Sequence, residues 1–393
     1  MNAYERFDFK SDWLPSIILG LFLLFTSVTN FFLPVFFAEQ LNFTANQIGL
    51  LYSAQSLAGV LAAFPSGVGN DRVTSRSIVI LSLMLMAAGY ALMGVVKAFA
   101  VYIALYFVLM IAYNMFRLSI DVQMLKTDKG SNTSRRIALF QSWRFGGLLL
   151  GTILSGYLLT AVSFENSFFV VAGLCLFLII LAKGLIPTHI SPVRLKDYLA
   201  DFSDNRTRLF AIWMFLFALH WGAEFVCYGL FLRKEFSLSY VGMGWYMSAE
   251  FLTILVAVLL MRNYITDLRK MVTALMAGLV LSGVGHIGMV FSPLWVSVSF
   301  RALHGIGDGI MFMVFYIGLA KLFVPSRVGG SAGVMNLAGM VGTIVGAMIS
   351  SNIGERWSYG IPLWASGIIL ILLAAPFAAL RFIELAKRAP SHG

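Results

Sequence analysis

Blocks of about twenty mostly apolar residues recur twelve times along this chain. They begin near Trp13, Asn46, Arg76, Phe99, Ile137, Glu165, Leu209, Ser239, Lys270, Leu294, Val328 and Trp357. Twenty such residues in a helix are what the hydrocarbon core of a bilayer requires. A membrane β-barrel would instead show short alternating segments. The pattern therefore predicts an all-α membrane protein with twelve transmembrane helices. The scarcity of charge agrees: 12% of residues are charged and 59% are hydrophobic, where a soluble domain carries roughly 25% charge.

The formal net charge is +10. Basic proteins often bind nucleic acid, but here the charge is distributed by loop. With the N-terminus inside, 21 of the 28 Lys and Arg fall in inner loops and tails. Lys97, Arg233, Lys234 and Arg356 fall outside, and Arg117, Arg144 and Arg301 fall within spans. That bias predicts both termini on the cytoplasmic side of an inner or plasma membrane, and it accounts for the charge without nucleic acid. The first apolar block is too long for a cleaved signal and has no small-residue cleavage site. Cys175 and Cys227 lie in spans and suggest neither a disulfide framework nor a metal site.

The longest polar stretch, Pro187 to Arg208, divides the spans six and six. Within it Leu195, Tyr198, Leu199 and Phe202 fall on one helical face, which predicts a short amphipathic helix along the membrane surface. The expected units are residues 1–190, a linker at 191–208, and residues 209–393. A faint repeat supports duplication. Asp71 and Asp267 stand 196 residues apart, and the pair Gly147 and Gly151 recurs as Gly342 and Gly346 at an offset of 195.

The loop Gly67-Val-Gly-Asn-Asp71-Arg72-Val-Thr-Ser-Arg76 resembles the signature loop of the major facilitator superfamily. Gly67, Asp71, Arg72 and Arg76 match; Thr74 and Ser75 depart from the usual glycine and basic residue. With twelve spans and a central polar loop, the resemblance covers the whole chain. It implies two pseudo-symmetric six-helix bundles around a central cavity that opens alternately to each side. It also implies a conformational latch of Gly67, Asp71, Arg72, Arg76 and Asp121 against the start of the eleventh span. The fifth span, with Gly147, Gly151 and Gly156, resembles the antiporter motif of the same family. Thr152 replaces its proline and Ser155 one glycine, so transport direction stays open.

Two enzyme-like patterns fail on context. GVGHIG at Gly283–Gly288 follows no strand, and GGSAG at Gly329–Gly333 has no strand-turn-helix. Both read as packing glycines. No cofactor motif and no metal cluster is legible, so an enzyme is not expected.

Ionisable residues inside spans cost roughly 2.5–3.5 kcal/mol each at mid-membrane on insertion scales. They mark functional sites or neutralised structural clusters. The tenth span carries Arg301, His304 and Asp308 in the stretch RALHGIGDGI; the seventh carries His220 and Glu224; the eighth carries Glu250. These six are the candidates for proton coupling, because buried carboxylates and histidines can exchange protons near neutrality. His286, alone on the ninth span, reads as a packed or water-facing histidine. In the first half, Arg117, Gln141 and Arg144, with Asn30, are candidates for substrate binding. Two arginines face one nearby acid, Asp121, and the surplus positive charge suits an anionic solute. Pairing of Asp121 with Arg72 or Arg76 is the competing arrangement. The expected function is proton-coupled transport of a small organic solute by a monomer in the lipid bilayer. An exporter of amphipathic or aromatic compounds is the alternative, and a non-transporting receptor is a third.

Overall fold

The computed structural model describes residues 8–127, 133–191, 193–265 and 267–386. Helices account for nearly all of them, and the described residues include no strand. The first six long helices are α1 (Leu14–Val35), α2 (Ala45–Arg72), α3 (Ser75–Met93), α4 (Phe99–Lys126), α5 (Thr133–Ala161) and α6 (Phe164–Ala182). The linker helix α7 (Leu195–Asp201) follows. The seventh span is α8 (Asn205–Ala223), a π-helical turn (Glu224–Tyr228) and α9 (Gly229–Glu235). Then come α10 (Tyr240–Met261), α11 (Leu268–Gly288), α12 (Leu294–Leu322), α13 (Val328–Arg356) and α14 (Gly360–Ala386).

Among the described residues, ten helices are long and apolar enough to cross a membrane. The second of the twelve, α2, does not meet that measure; Gln47, Gln55, Ser66 and Asn70 interrupt it. The last contributes a shorter apolar segment, Gly360–Pro376. Local chemistry sets the helix starts. Thr44 and Gln47 form a capping box before α2, and Thr74, Ser163, Ser239 and Asp267 each accept a backbone N–H at the head of a helix. These caps satisfy amides that have no partner inside the helix.

The repeat is visible in how the helices touch. A Cβ on Gly147 would stand 2.2 Å from the Gly20 carbonyl, and one on Gly342 would stand 2.2 Å from the Phe215 carbonyl. Gly151 meets Leu24, and Gly346 meets Leu219, in the same way. All four contacts recur at an offset of 195, so α5 packs on α1 as α13 packs on α8. Without water to drive helices together, such close backbone approach is what holds them. Between the halves, α2 packs on α13 and α5 on α10, which is again a two-fold arrangement.

The face that carries the linker is closed. Asp71 is fully buried and accepts from the Gly329 and Gly330 amides at 3.1 and 2.7 Å, at the start of α13. It also accepts from the Tyr198 hydroxyl at 2.7 Å and pairs with Lys126 at 2.8 Å. Burial beside Asp71 pushes the Tyr198 hydroxyl above its ordinary range, so it stays a donor. Tyr198 thus turns inward, while Leu195 and Leu199 of α7 are exposed. Arg327 pairs with Asp201 of α7 at 2.5 Å, and Ser134 and Arg135 of α5 reach Ile265 and Asn263 beyond α10. Gly67 lies under Gly329, Arg72 is exposed with a 3.5 Å contact to the Val193 carbonyl, and Arg76 is half-buried.

Asp71→Asn removes the charge from two amide bonds that cross between the halves. Each bond to a charged group is worth about 1.5–3 kcal/mol, and asparagine keeps one of them as an acceptor. A net loss of about 1.5–3 kcal/mol corresponds to a shift of roughly 10–150-fold toward the state open at this face. Spin-label distances across the face should lengthen; an unchanged distribution would show that Asp71 does not hold it.

Candidate functional site

The stretch RALHGIGDGI lies in α12, and its glycines let three helices converge. A Cβ on Gly305 would stand 2.6 Å from the Glu250 carbonyl of α10, and one on Gly307 would stand 2.2 Å from the Ser282 amide of α11. Arg301, His304 and Asp308 are thereby carried into the interior, each at most 2% exposed. The π-helical turn after α8 adds Glu224 to the same place. Such turns widen a helix locally and recur at functional sites.

Arg301 bonds both Glu224 and Glu250 with its two terminal nitrogens, and its guanidinium lies 4.0 Å from the centre of the Tyr228 ring. A forked guanidinium between two carboxylates is the arrangement that makes a buried arginine tolerable. Asp308 is not part of that pair. Its Oδ1 accepts from Ser282 at 2.7 Å and its Oδ2 from the Trp221 indole at 3.2 Å. Its Oδ2 also lies 3.5 Å from His220 Nε2 and 3.8 Å from His304 Nε2. His304 stands between the two groups, with Nε2 at 3.3 Å from Glu224 and 3.8 Å from Glu250. His286 belongs here as well: its Nε2 is 3.3 Å from Glu224, and its ring stacks on His304 at 4.7 Å. It is the packed histidine the sequence suggested, but its partners lie on the π turn and α12. Three carboxylates and three histidines share one buried region with one arginine. With neutral histidines its formal charge is −2.

In the first half the structure separates the two arginines. Arg144 of α5 bonds Asp121 of α4, and it donates to the Tyr316 hydroxyl of α12 at 2.6 Å. Tyr316 donates to Asp121 at 2.8 Å across a sequence separation of 195. These two residues occupy equivalent positions of the repeat and meet across the halves. Asp121 is therefore placed with Arg144 and Tyr316, not with Arg72 or Arg76; Arg144 takes one carboxylate oxygen and Tyr316 the other. Arg117 is half-buried, 5.9 Å from the Tyr113 ring centre, and its Nε makes no hydrogen bond. Gln141 is fully buried, and neither amide atom has a partner among the described residues. The side chain of Asn30 lies outside the described residues.

The profile of the Major Facilitator Superfamily matches residues 16–231 and 210–392. The chain belongs to that family. No curated protein sequence matches it. Among solved structures, the human organic anion transporter MFSD10 (TETRAN) aligns with a TM-score of 0.75 at 17% identity, over 93% of this chain and 98% of that one. The E. coli fucose:proton symporter FucP aligns with a TM-score of 0.69 at 14% identity, and the nucleoside transporter NupG with 0.68 at 15%, each over the same shares. At these identities the likeness is one of fold. This major facilitator is thus a multi-pass membrane protein of a transporter family, with two six-helix halves.

Sequence reasoning did not place His286, Ser282 or Tyr316 in these clusters. One signal was available for two of them: Ser282 and His286 are four residues apart and share a face of α11, next to packing glycines. Tyr316 had no such signal, because a tyrosine among 34 Phe and 14 Tyr carries no mark of its role.

Proposed function

We propose that this protein is a proton-coupled secondary active transporter that moves a small organic anion by alternating access. The observation that carries the reading is the division of buried charge. One half holds the acidic, histidine-rich cluster with a formal charge of −2. The other holds Arg117, a cation with no carboxylate partner among the described residues, and Gln141, a buried amide with no hydrogen-bond partner among them. Buried polar groups without partners cost roughly 1–3 kcal/mol, and a bound solute carboxylate would accept from the Arg117 guanidinium. Arg144, committed to Asp121 and Tyr316, serves the contact between halves. Among the neighbours in fold, one is an organic anion transporter and one a sugar:proton symporter, which agrees with each part of the reading. A cationic substrate is less suited, because Glu224 and Glu250 are already bonded to Arg301.

The proton role falls on His304 and Asp308, with His220, Glu224 and Glu250 as neighbours. His304 lies within 3.8 Å of all three carboxylates, so a proton on it can pass to any of them. The protein works as a monomer in an inner or plasma membrane, with the linker and both termini in the cytoplasm. A single cysteine in place of exposed Asn205, with Cys175 and Cys227 removed, should react only with reagents that enter the cell. Labelling by an impermeant reagent would reverse the orientation.

Substrate recognition is tested on the purified protein. A panel of small carboxylates is screened for solutes that raise its melting temperature, and the affinity of the best is measured. Arg117→Gln should weaken it about 10–100-fold, the loss of one charge-assisted pair. Arg117→Lys should not restore it, because the fork is lost. Unchanged affinity in both variants would remove Arg117 from the binding site.

A further inference from the structure

The three buried histidines all give away the same ring nitrogen. His220 Nδ1 lies 2.5 Å from the Phe217 carbonyl, and His304 Nδ1 lies 3.0 Å from the Ser282 carbonyl. A carbonyl only accepts, so both rings carry a proton on Nδ1. His286 Nδ1 lies 2.7 Å from Ser366 Oγ, whose own proton goes to the Leu363 carbonyl at 2.8 Å. The ring is the donor there too. In the neutral state every Nε2 is then a bare lone pair. All three are buried and make no hydrogen bond, and they face carboxylate oxygens at 3.3–3.8 Å. Acceptors that face acceptors in a dry interior call for a cation between them.

Fixing Nδ1 on a carbonyl so that Nε2 is presented bare is how proteins hold metal-ligating histidines. His304 and Asp308 are four residues apart, one helical turn, so both point to one side of α12. One ring nitrogen each from His220 and His304 and an Asp308 oxygen all lie within 4.8 Å of one another. Zinc–ligand bonds of about 2.0–2.2 Å place tetrahedral ligands about 3.3–3.6 Å apart. The 3.5 and 3.8 Å from Asp308 Oδ2 to the two nitrogens need only a slight contraction. Ser282 and Trp221 already hold the carboxylate in place. One divalent ion would also cancel the cluster's formal charge of −2.

We propose that His220, His304 and Asp308 form a binding site for a divalent transition-metal ion of the zinc class. Imidazole and carboxylate ligands of this number suit Zn²⁺ better than the hard cations Ca²⁺ and Mg²⁺. The ion ties α8 to α12 and occupies the lone pairs through which the cluster would otherwise take up protons, so it arrests transport. The site stands on ligand geometry and does not depend on which ion drives transport.

The test uses the full-length protein in detergent, with any affinity tag cleaved and bound metal stripped by chelator. Zn²⁺ is titrated by calorimetry, and the X-ray absorption spectrum of the loaded wild-type protein is recorded. The expected result is one ion per chain, in a shell of imidazole nitrogen and carboxylate oxygen. His220→Gln and Asp308→Asn, checked for a monodisperse elution peak, should each weaken binding at least ~100-fold. His189→Gln, at an exposed linker position, should leave it unchanged. Absence of a one-to-one site, a spectrum without imidazole, or equal affinity in both cluster variants would overturn the proposal. The spectrum needs no variant, so misfolding of a variant does not leave the question open. A zinc site in a protein that moves no protons would count against proton coupling and leave this inference standing.

Discussion

Arg301→Gln should lower stability by about 3–5 kcal/mol, the cost of removing one partner from a buried ion pair. Arg301 is 1% exposed and bonds both Glu224 and Glu250. Without it two carboxylates remain in the interior with no cation, next to three histidines that must supply the charge. For a unit of this size the melting temperature should fall by about 10 °C, as read by scanning fluorimetry in detergent. The effect belongs to the unpaired charges, not to the lost bonds. Replacing the network as a whole, with Arg301→Gln, Glu224→Gln and Glu250→Gln together, should therefore recover most of the stability, since full removal of a buried pair is often neutral. A triple variant no more stable than the single one would show that the network acts through packing around Tyr228.

Most of the fold was legible because membranes constrain sequence strongly. The apolar blocks and the 195-residue offset of Gly147 and Gly151 from Gly342 and Gly346 follow from bilayer physics and close packing. The glycines proved to be the contacts of α5 on α1 and of α13 on α8. The linker helix was legible from its periodicity, but the inward turn of Tyr198 was not. Its partner, Asp71, lies more than a hundred residues away and reaches it only through the tertiary fold.

The site was legible as an inventory and not as a set of pairings. Arg301, Asp308, His304, His220, Glu224 and Glu250 stood out because charge inside a span is costly. Their partners did not, since helix periodicity orders residues within one helix only. It could show that Arg301 and Asp308 are two turns apart on α12. It could not show that Arg301 turns to α10 and to the π turn, leaving Asp308 to Ser282 and His220. The same limit applied to Arg144 and Arg117, which are alike in sequence. Only the approach of α12 gives Arg144 its tyrosine, while Arg117 Nε has no hydrogen-bond partner among the described residues.

Asp308→Asn should abolish gradient-driven accumulation while exchange of solute across the membrane persists. Asparagine can still accept from the Trp221 indole through its oxygen and donate its amide to the Ser282 hydroxyl, which can accept, so both partners keep a bond. It cannot take a proton. A gradient of two pH units is worth about 2.7 kcal/mol for each proton moved, since one unit is worth 1.36. The wild-type protein should therefore concentrate its solute about 100-fold per coupled proton, and Asp308→Asn should only equalise it. If Asp308 is purely structural, the variant should be less abundant and less stable, with coupling intact in whatever folds.

Proton movement by the wild-type protein tests the central claim most directly. The purified transporter is sealed into liposomes with a pH-sensitive dye inside and no imposed gradient, and a labelled carboxylate from the stabilising panel is added outside. The account predicts an internal pH change that rises in fixed proportion to the solute entering and that ceases when the solute is withheld. Solute entry at the same rate with no change in internal pH would contradict it.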